Sequence, residues 1–107
     1  MDLYEELRAK TEELEATIKD LRTYGRRLAE AERNYKTQLA KTCLRMKADG
    51  YAIGLIDKVC YGEDEVANAR FDRDLAQVWY DSTKELINSL KLQIRLIESQ
   101  LAREYGR

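Results

Sequence analysis

Residues 7–28, LRAKTEELEATIKDLRTYGRRL, contain a leucine at every seventh position: Leu7, Leu14, Leu21 and Leu28. A seven-residue apolar repeat is typical of helices that pack along a coiled-coil seam. Beyond Tyr24 the apolar positions follow the ordinary helical period, since Gly25 and Glu32 are poor seam residues. The pattern predicts one long, slightly irregular helix over residues 2–48.

Both ends of this helix carry residues that are typical of helix termini. Asp2, with Glu5 three positions later, resembles a capping box, and Asp49-Gly50 supplies a left-handed stop. Residues 49–62 are rich in glycine and apolar side chains, so we predict a structured connector with a short helix from Ile53 to Val59. The acidic run that starts at Glu63 predicts a second long helix over 63–105.

The second helix has its own apolar seam, in which the spacing alternates between three and four residues. The chain contains no proline that would interrupt either long helix. The predicted inner seam consists of Ala69, Ala76, Tyr80, Thr83, Ile87, Leu90, Ile94, Ile97 and Leu101.

The distribution of charge predicts how the two helices pair. Net charges are −4 for residues 1–20, +6 for 21–48, −5 for 49–85 and +2 for 86–107. Folding the chain back near residue 56 brings each block beside one of opposite sign, which favours one register even though single surface pairs stabilise little. We therefore expect a single all-α domain, 1–107, built as a long antiparallel helical hairpin with a short helical connector.

A second apolar face on the helix over 63–105 lies outside the inner seam. One helix of a pair covers only one stripe of the other, so this face predicts homodimerisation into a four-helix bundle, with a different protein partner as the alternative. The predicted oligomer or partner face comprises Phe71, Leu75, Val78, Trp79, Leu86, Leu92 and Leu96.

Composition argues against an enzyme, because the chain has no histidine, the commonest general base and metal ligand. Acidic clusters such as Asp72-x-Asp74 lack the ligand spacing of a calcium loop, so we predict no metal, no cofactor and no catalytic residue. Cys43 and Cys60 are predicted to be reduced, buried thiols, with a redox pair or an intermolecular bridge as alternatives.

The basic stretch of the first helix allows two interpretations. It can be neutralised by the acidic block 63–85, or it can bind nucleic acid phosphates while tyrosines stack on bases. The overall net charge of −1 favours neutralisation. The alternative nucleic-acid contacts are Arg22, Arg26, Arg27, Arg33, Lys36 and Lys41.

The connector also allows two interpretations. Residues 39–61 imitate a helix-turn-helix motif, but the short helix offers mainly apolar groups and only Lys58 as a polar donor to DNA. The favoured interpretation is an exposed connector tip that contacts a protein partner. Its predicted contact residues are Tyr51, Ile53, Leu55, Lys58 and Tyr61.

Several segments carry a resemblance to known proteins: AEAERNYK (29–36), the glycine-flanked connector 50–62, ARFDRDLA (69–76), Trp79-Tyr80 and QLAREY (100–105). Through these segments nearly the whole chain resembles small uncharacterised helical, coiled-coil proteins of phages and prophages of Gram-positive bacteria. The resemblance implies a virus-encoded accessory protein in the bacterial host cytoplasm, expressed early among replication or counter-defence genes, and assigns no activity to any residue.

The acidic, amphipathic start MDLYEELRAK resembles no export signal, and the apolar stretches are too short to span a bilayer, which also predicts a cytoplasmic protein without membrane contact. We expect a non-enzymatic accessory protein that acts as a protein-protein interaction module and inhibits a host defence or nucleic-acid enzyme by occupancy. The alternative is a nucleic-acid-binding helical protein that uses the basic stretch.

Overall fold

The computed structural model of the protein describes residues 2–105, so Met1, Gly106 and Arg107 of the predicted domain lie outside the described residues. Three α-helices run Leu3–Ala48 (α1), Ile53–Val59 (α2) and Asp64–Tyr105 (α3), and a 3₁₀ turn, Cys60–Gly62, links α2 to α3. No strand occurs between residues 2 and 105. The prediction of an all-α chain is confirmed.

α1 ends at Ala48 as predicted and begins at Leu3, one residue later than predicted, because Asp2 caps the helix from outside it. The backbone N–H of Glu5 donates to the Asp2 carboxylate at 2.8 Å, which satisfies one free donor of the first turn. At the other end Gly50 has φ +91°, a left-handed conformation that a residue without Cβ adopts at low cost. The N–H groups of Gly50 and Tyr51 donate to the carbonyls of Lys47 and Met46, which closes a Schellman motif.

The connector forms the short helix predicted from Ile53 to Val59, with the same bounds. No side chain caps its first turn, and the N–H groups of Leu55 and Ile56 both donate to the Ala52 carbonyl at 3.0 Å. α3 starts one residue later than predicted because Glu63 is extended, with ψ 139°. Glu63 instead ends the 3₁₀ turn, and its carbonyl accepts from Ala67 at 2.8 Å as the helix begins.

The chain divides into two compact units, and the prediction of a single domain stays a prediction. The connector unit, Gly25–Trp79, holds the end of α1, the connector and the start of α3. Its core is small: Met46, Ile56 and Cys60 are buried together, with Leu39 and Cys43 packed against them. The start of α3 adds two further buried side chains, Val66 and Ala69.

The terminal unit contains residues 2–24 and 80–105 of the described chain. Thr17 is buried here, and its hydroxyl donates to the Glu13 carbonyl at 2.8 Å, so no buried hydroxyl is left unpaired at this position. The rings of Tyr4 and Tyr105 lie 5.9 Å apart between centroids.

Across the two units, every predicted inner-seam residue of α3 is at least half-buried, and this part of the sequence prediction is confirmed. The fully buried members are Ala69, Thr83, Ile87, Leu90, Ile97 and Leu101.

Candidate interaction surfaces

The outer face of α3, the predicted oligomer face, is exposed in each unit. In the connector unit it consists of Phe71, Leu75, Val78 and Trp79, with Phe71 64% exposed. In the terminal unit it consists of Leu86, Leu92 and Leu96, with Leu96 61% exposed. Large apolar side chains that lie together on a surface mark sites of association, whereas isolated exposed ones are ordinary.

The connector tip is also exposed, with Ile53 accessible over 68% of its surface. All five predicted contact residues, Tyr51, Ile53, Leu55, Lys58 and Tyr61, lie on the surface of the connector unit. Their backbone is anchored by two buried neighbours, Ile56 and Cys60. The tip is therefore a short apolar surface that packs on the core of its own unit.

The basic strip comprises the six predicted nucleic-acid contacts, and every one of them is exposed: Arg22, Arg26, Arg27, Arg33, Lys36 and Lys41. Within the connector unit, Arg33, Lys36 and Lys41 line a shallow groove around the small residues Ala29 and Ala40. The side chains of Glu32, Thr37 and Leu44 complete the groove. The strip thus combines cationic groups with a depression along one helix.

Arg45, at the end of the same basic stretch, forms ion pairs with the start of α3. Its guanidinium lies 3.4 Å from the Glu63 carboxylate and 3.2 Å from that of Glu65. The pKa of Glu65 is lowered, chiefly because its carboxylate accepts from its own backbone N–H, and further by the hydrogen bond and charge of Arg45. Neutralisation of the basic stretch by the acidic block is therefore observed at this position.

Arg73 of α3 contacts Tyr35 of α1, and the apolar pattern did not predict this contact. Its guanidinium carbon lies 4.6 Å from the centroid of the Tyr35 ring. Arg73 also donates to Asp74 at 2.7 Å, and this hydrogen bond is the first cause of a raised Arg73 pKa. An arginine stem packs like an apolar chain while its head stays polar, so a pattern of apolar residues misses it.

Cys43 and Cys60 lie together in the core of the connector unit, and neither forms a disulfide. Cys60 is buried, whereas Cys43 is only half-buried. The pKa of the Cys60 thiol is raised first by burial, then by its hydrogen bond with Cys43, by the charge of Cys43 and by that of Asp57. The predicted burial holds for Cys60 and only partly for Cys43, and the predicted reduced state of the two thiols stays a prediction.

Two further properties concern metal binding and membrane insertion. Between residues 2 and 105, no three Cys, Asp or Glu side chains converge as a metal site would require. None of the helices in that range has the length and apolar content needed to cross a membrane.

Comparisons of the chain with protein-family models, with curated proteins and with solved structures found no match.

Proposed function

We propose that this chain is a non-enzymatic interaction protein that dimerises through the outer face of α3 and binds a protein partner at the connector tip. The observation that carries the proposal is the exposure of seven large apolar side chains along α3, from Phe71 to Leu96. Burial of such side chains is the main favourable term in most protein association. The partner that covers this face is a second copy of the chain, because the spacing of the face matches its own.

The proposed protomer is an antiparallel helical hairpin. Contacts inside each unit support this pairing: Arg45 of α1 meets Glu65 in the first turn of α3, and Tyr4 meets Tyr105. Residues early in α1 therefore contact residues late in α3, and residues late in α1 contact residues early in α3. A dimer of such hairpins is a four-helix bundle.

The spacing of the outer face supports an antiparallel contact between two α3 helices. Five of its residues, Phe71, Leu75, Val78, Leu92 and Leu96, fall on a seam that alternates by four and three residues through Ser82, Glu85 and Ser89. This seam is symmetric about the midpoint between residues 83 and 84. The residues that face each other across a two-fold axis at this midpoint are Phe71 with Leu96, Leu75 with Leu92, Val78 with Ser89, and Ser82 with Glu85. A face that is complementary to itself is what a two-fold dimer requires.

The positions that flank this seam match in the same register. Asp74 of one copy falls near Arg95 of the other, so opposite charges meet on one side. Trp79 falls near Leu86 of the other copy, so apolar side chains meet on the other side. Charge pairs at flanking positions set the orientation of packed helices, which makes the antiparallel arrangement the favoured one.

Exchange of leucine for aspartate tests the dimer. Leu92→Asp with Leu96→Asp places two carboxylates in the seam, and we expect a monomer by light scattering. Lys91→Asp changes the net charge by the same amount at an exposed neighbouring position and should leave the dimer intact. Circular dichroism verifies that both variants remain helical. A dimer that survives the double substitution contradicts the proposal.

A charge swap tests the register. Asp74→Arg and Arg95→Asp should each weaken the dimer, because each places like charges near one another in the antiparallel contact. Together they should restore it. A combined variant that dimerises no better than either single variant rules out the proposed register.

The biological setting that we propose is that of a phage or prophage accessory protein in the cytoplasm of a bacterial host. Segments such as 29–36 and 69–76 support this origin by resemblance. The apolar connector tip supports a role in binding, and inhibition of a host defence or nucleic-acid enzyme by occupancy is the mechanism proposed. Affinity capture with the wild type and with a tip variant, Ile53→Asp with Leu55→Asp, should yield a partner that only the wild type retains.

The basic strip favours nucleic-acid binding as a second candidate function. Its support is the groove in which Arg33, Lys36 and Lys41 are exposed together. Fluorescence anisotropy with short DNA and RNA at low salt tests it: binding must weaken as salt rises, and the triple substitution of these residues to glutamine must abolish it. No change in anisotropy at low salt excludes this function.

A further inference from the structure

The two cysteines of the chain lie seventeen positions apart in sequence, and the fold brings them into contact. Cys43 is in the last part of α1, and Cys60 is the first residue of the 3₁₀ turn. Both pack in the cluster that contains Met46 and Ile56, and their thiols share a hydrogen bond. Two cysteines that pack in one side-chain cluster provide the proximity that a disulfide requires.

The two thiols differ in access to solvent. Cys60 is 2% exposed, so reagents cannot reach it directly. Cys43 is half-buried and lines a groove of about 230 Å³ between α1 and α2. The groove is also lined by Leu44, Lys47, Ile53, Ile56 and Asp57. One cation and one anion line it, so a small reagent of either charge can approach the Cys43 thiol.

The protonation state of Cys60 agrees with a role as the second thiol. Its pKa is raised chiefly by burial, so it stays protonated at neutral pH and attacks only after Cys43 has reacted. An exposed thiol that reacts first, next to a resolving cysteine, is the usual arrangement of redox-sensitive pairs.

We propose that Cys43 and Cys60 form a thiol-oxidation site that reacts with low-molecular-weight disulfides. The Cys43 thiolate attacks one sulfur of the reagent, the reagent's S–S bond breaks, and one thiolate leaves as a mixed disulfide forms on Cys43. Cys60 then attacks the Cys43 sulfur, the bond between Cys43 and the reagent breaks, and the Cys60 proton passes to the departing reagent thiolate. Two protein thiols are oxidised to one disulfide, and the reagent disulfide is reduced to two thiols.

The new bond would join α1 to the start of the 3₁₀ turn. The chain between them contains all of α2 and most of the connector tip, so the bond closes a loop around this surface. Cross-linking of this kind restricts the unfolded chain, and the oxidised protein should melt at a higher temperature than the reduced one. The site is independent of the outer face of α3 and of the proposed dimer.

Oxidised glutathione, a disulfide with carboxylate groups, is the probe. After incubation with the folded wild-type protein, mass spectrometry should find a chain lighter by two hydrogen atoms, without a retained glutathione. Trypsin cleaves after Arg45, Lys47 and Lys58, so the peptides that contain Cys43 and Cys60 should be recovered joined, and dithiothreitol should separate them.

Two variants identify the order of the steps. Cys60→Ser should stop at a stable mixed disulfide on Cys43, whereas Cys43→Ser should react at least tenfold more slowly because only the buried thiol remains. The wild type in urea should accumulate the mixed disulfide, since the thiols are no longer held together. A folded wild type that retains glutathione, or that forms only disulfides between chains, overturns the proposal without recourse to any variant.

Discussion

The guanidinium carbon of Arg73 lies 4.6 Å from the centroid of the Tyr35 ring, which joins α3 to α1 inside the connector unit. Arg73 is held over the ring by two hydrogen bonds to Asp74, of 3.1 Å from Nε and 2.7 Å from Nη2. A cation placed over an aromatic face is attracted by the negative charge of the ring face. The contact therefore combines packing of the arginine stem with an electrostatic attraction.

The Arg73 and Tyr35 side chains should be energetically coupled. In a double-mutant cycle with Arg73→Met and Tyr35→Leu, we expect favourable coupling in urea unfolding, smaller than the loss expected for Met46→Ala. The same cycle with Tyr35→Phe should give almost no coupling, because the ring face is retained. Arg70→Met, at an exposed position one turn away, is the control. Equal coupling in the two cycles contradicts the cation-π interpretation.

Glu65 should titrate below its ordinary value of 4.5. A carboxyl group with a lowered pKa in the folded state stabilises the fold above the unfolded pKa, and this contribution is lost as the pH falls through the folded pKa. Arg45→Gln should raise the Glu65 pKa only part of the way, since the hydrogen bond from the backbone of Glu65 remains. Carbon-detected NMR titration measures both values, with Lys47→Gln as the control. An unchanged pKa in Arg45→Gln rules out the ion pair.

Met46 should be one of the most sensitive positions in the connector unit, because it is 2% exposed in the core cluster. Met46→Ala leaves a cavity, and we expect it to lower the free energy of unfolding by about 2–5 kcal/mol. Leu44→Ala, two positions away and 69% exposed, should change it by no more than about 0.5 kcal/mol. Urea denaturation measures both, and similar losses would mean that Met46 is not a core residue.

Substitution by alanine should lower the stability of the protein at Gly50 and raise it at Gly54. A Cβ atom at either position would meet no neighbouring atom within 4 Å, so neither substitution creates a clash. Gly50→Ala forces a left-handed conformation and should cost about 1–2 kcal/mol. Gly54→Ala lies in α2 and should stabilise by about 0.4–1 kcal/mol by restricting the unfolded chain. Thermal melting distinguishes the two, and a loss of stability in both contradicts this assignment.

Much of the local structure follows from the sequence because it depends on short-range chemistry. Helix ends require particular residues at particular positions, so Asp2 and Gly50 are enough to predict the bounds of α1. The inner seam of α3 is predictable because its apolar residues recur at the helical period. The outer face is predictable for the same reason, because it consists of the apolar residues of α3 that lie outside the inner seam.

Other features depend on how distant segments meet. The apolar pattern gives no sign that Arg73 packs over Tyr35, because a charged residue does not register as a packing residue. Val66 is fully buried although it was not assigned to the seam; it lies three residues before Ala69, where the helical period of the seam also places it. The groove beside the basic strip is different, because all of its lining residues lie on α1 at helical spacing, so it needs no contact between distant segments.

From the sequence alone it follows that the chain is helical, where its helices begin and end to within one residue, and which residues of α3 face inward, because these properties depend on residues within a few turns of one another. The tertiary structure alone decided that Cys43 meets Cys60 and that Arg45 reaches Glu63 and Glu65. Those contacts depend on the path of the connector, and that path is set by the combined geometry of Gly50, α2 and the 3₁₀ turn, which no periodic pattern records.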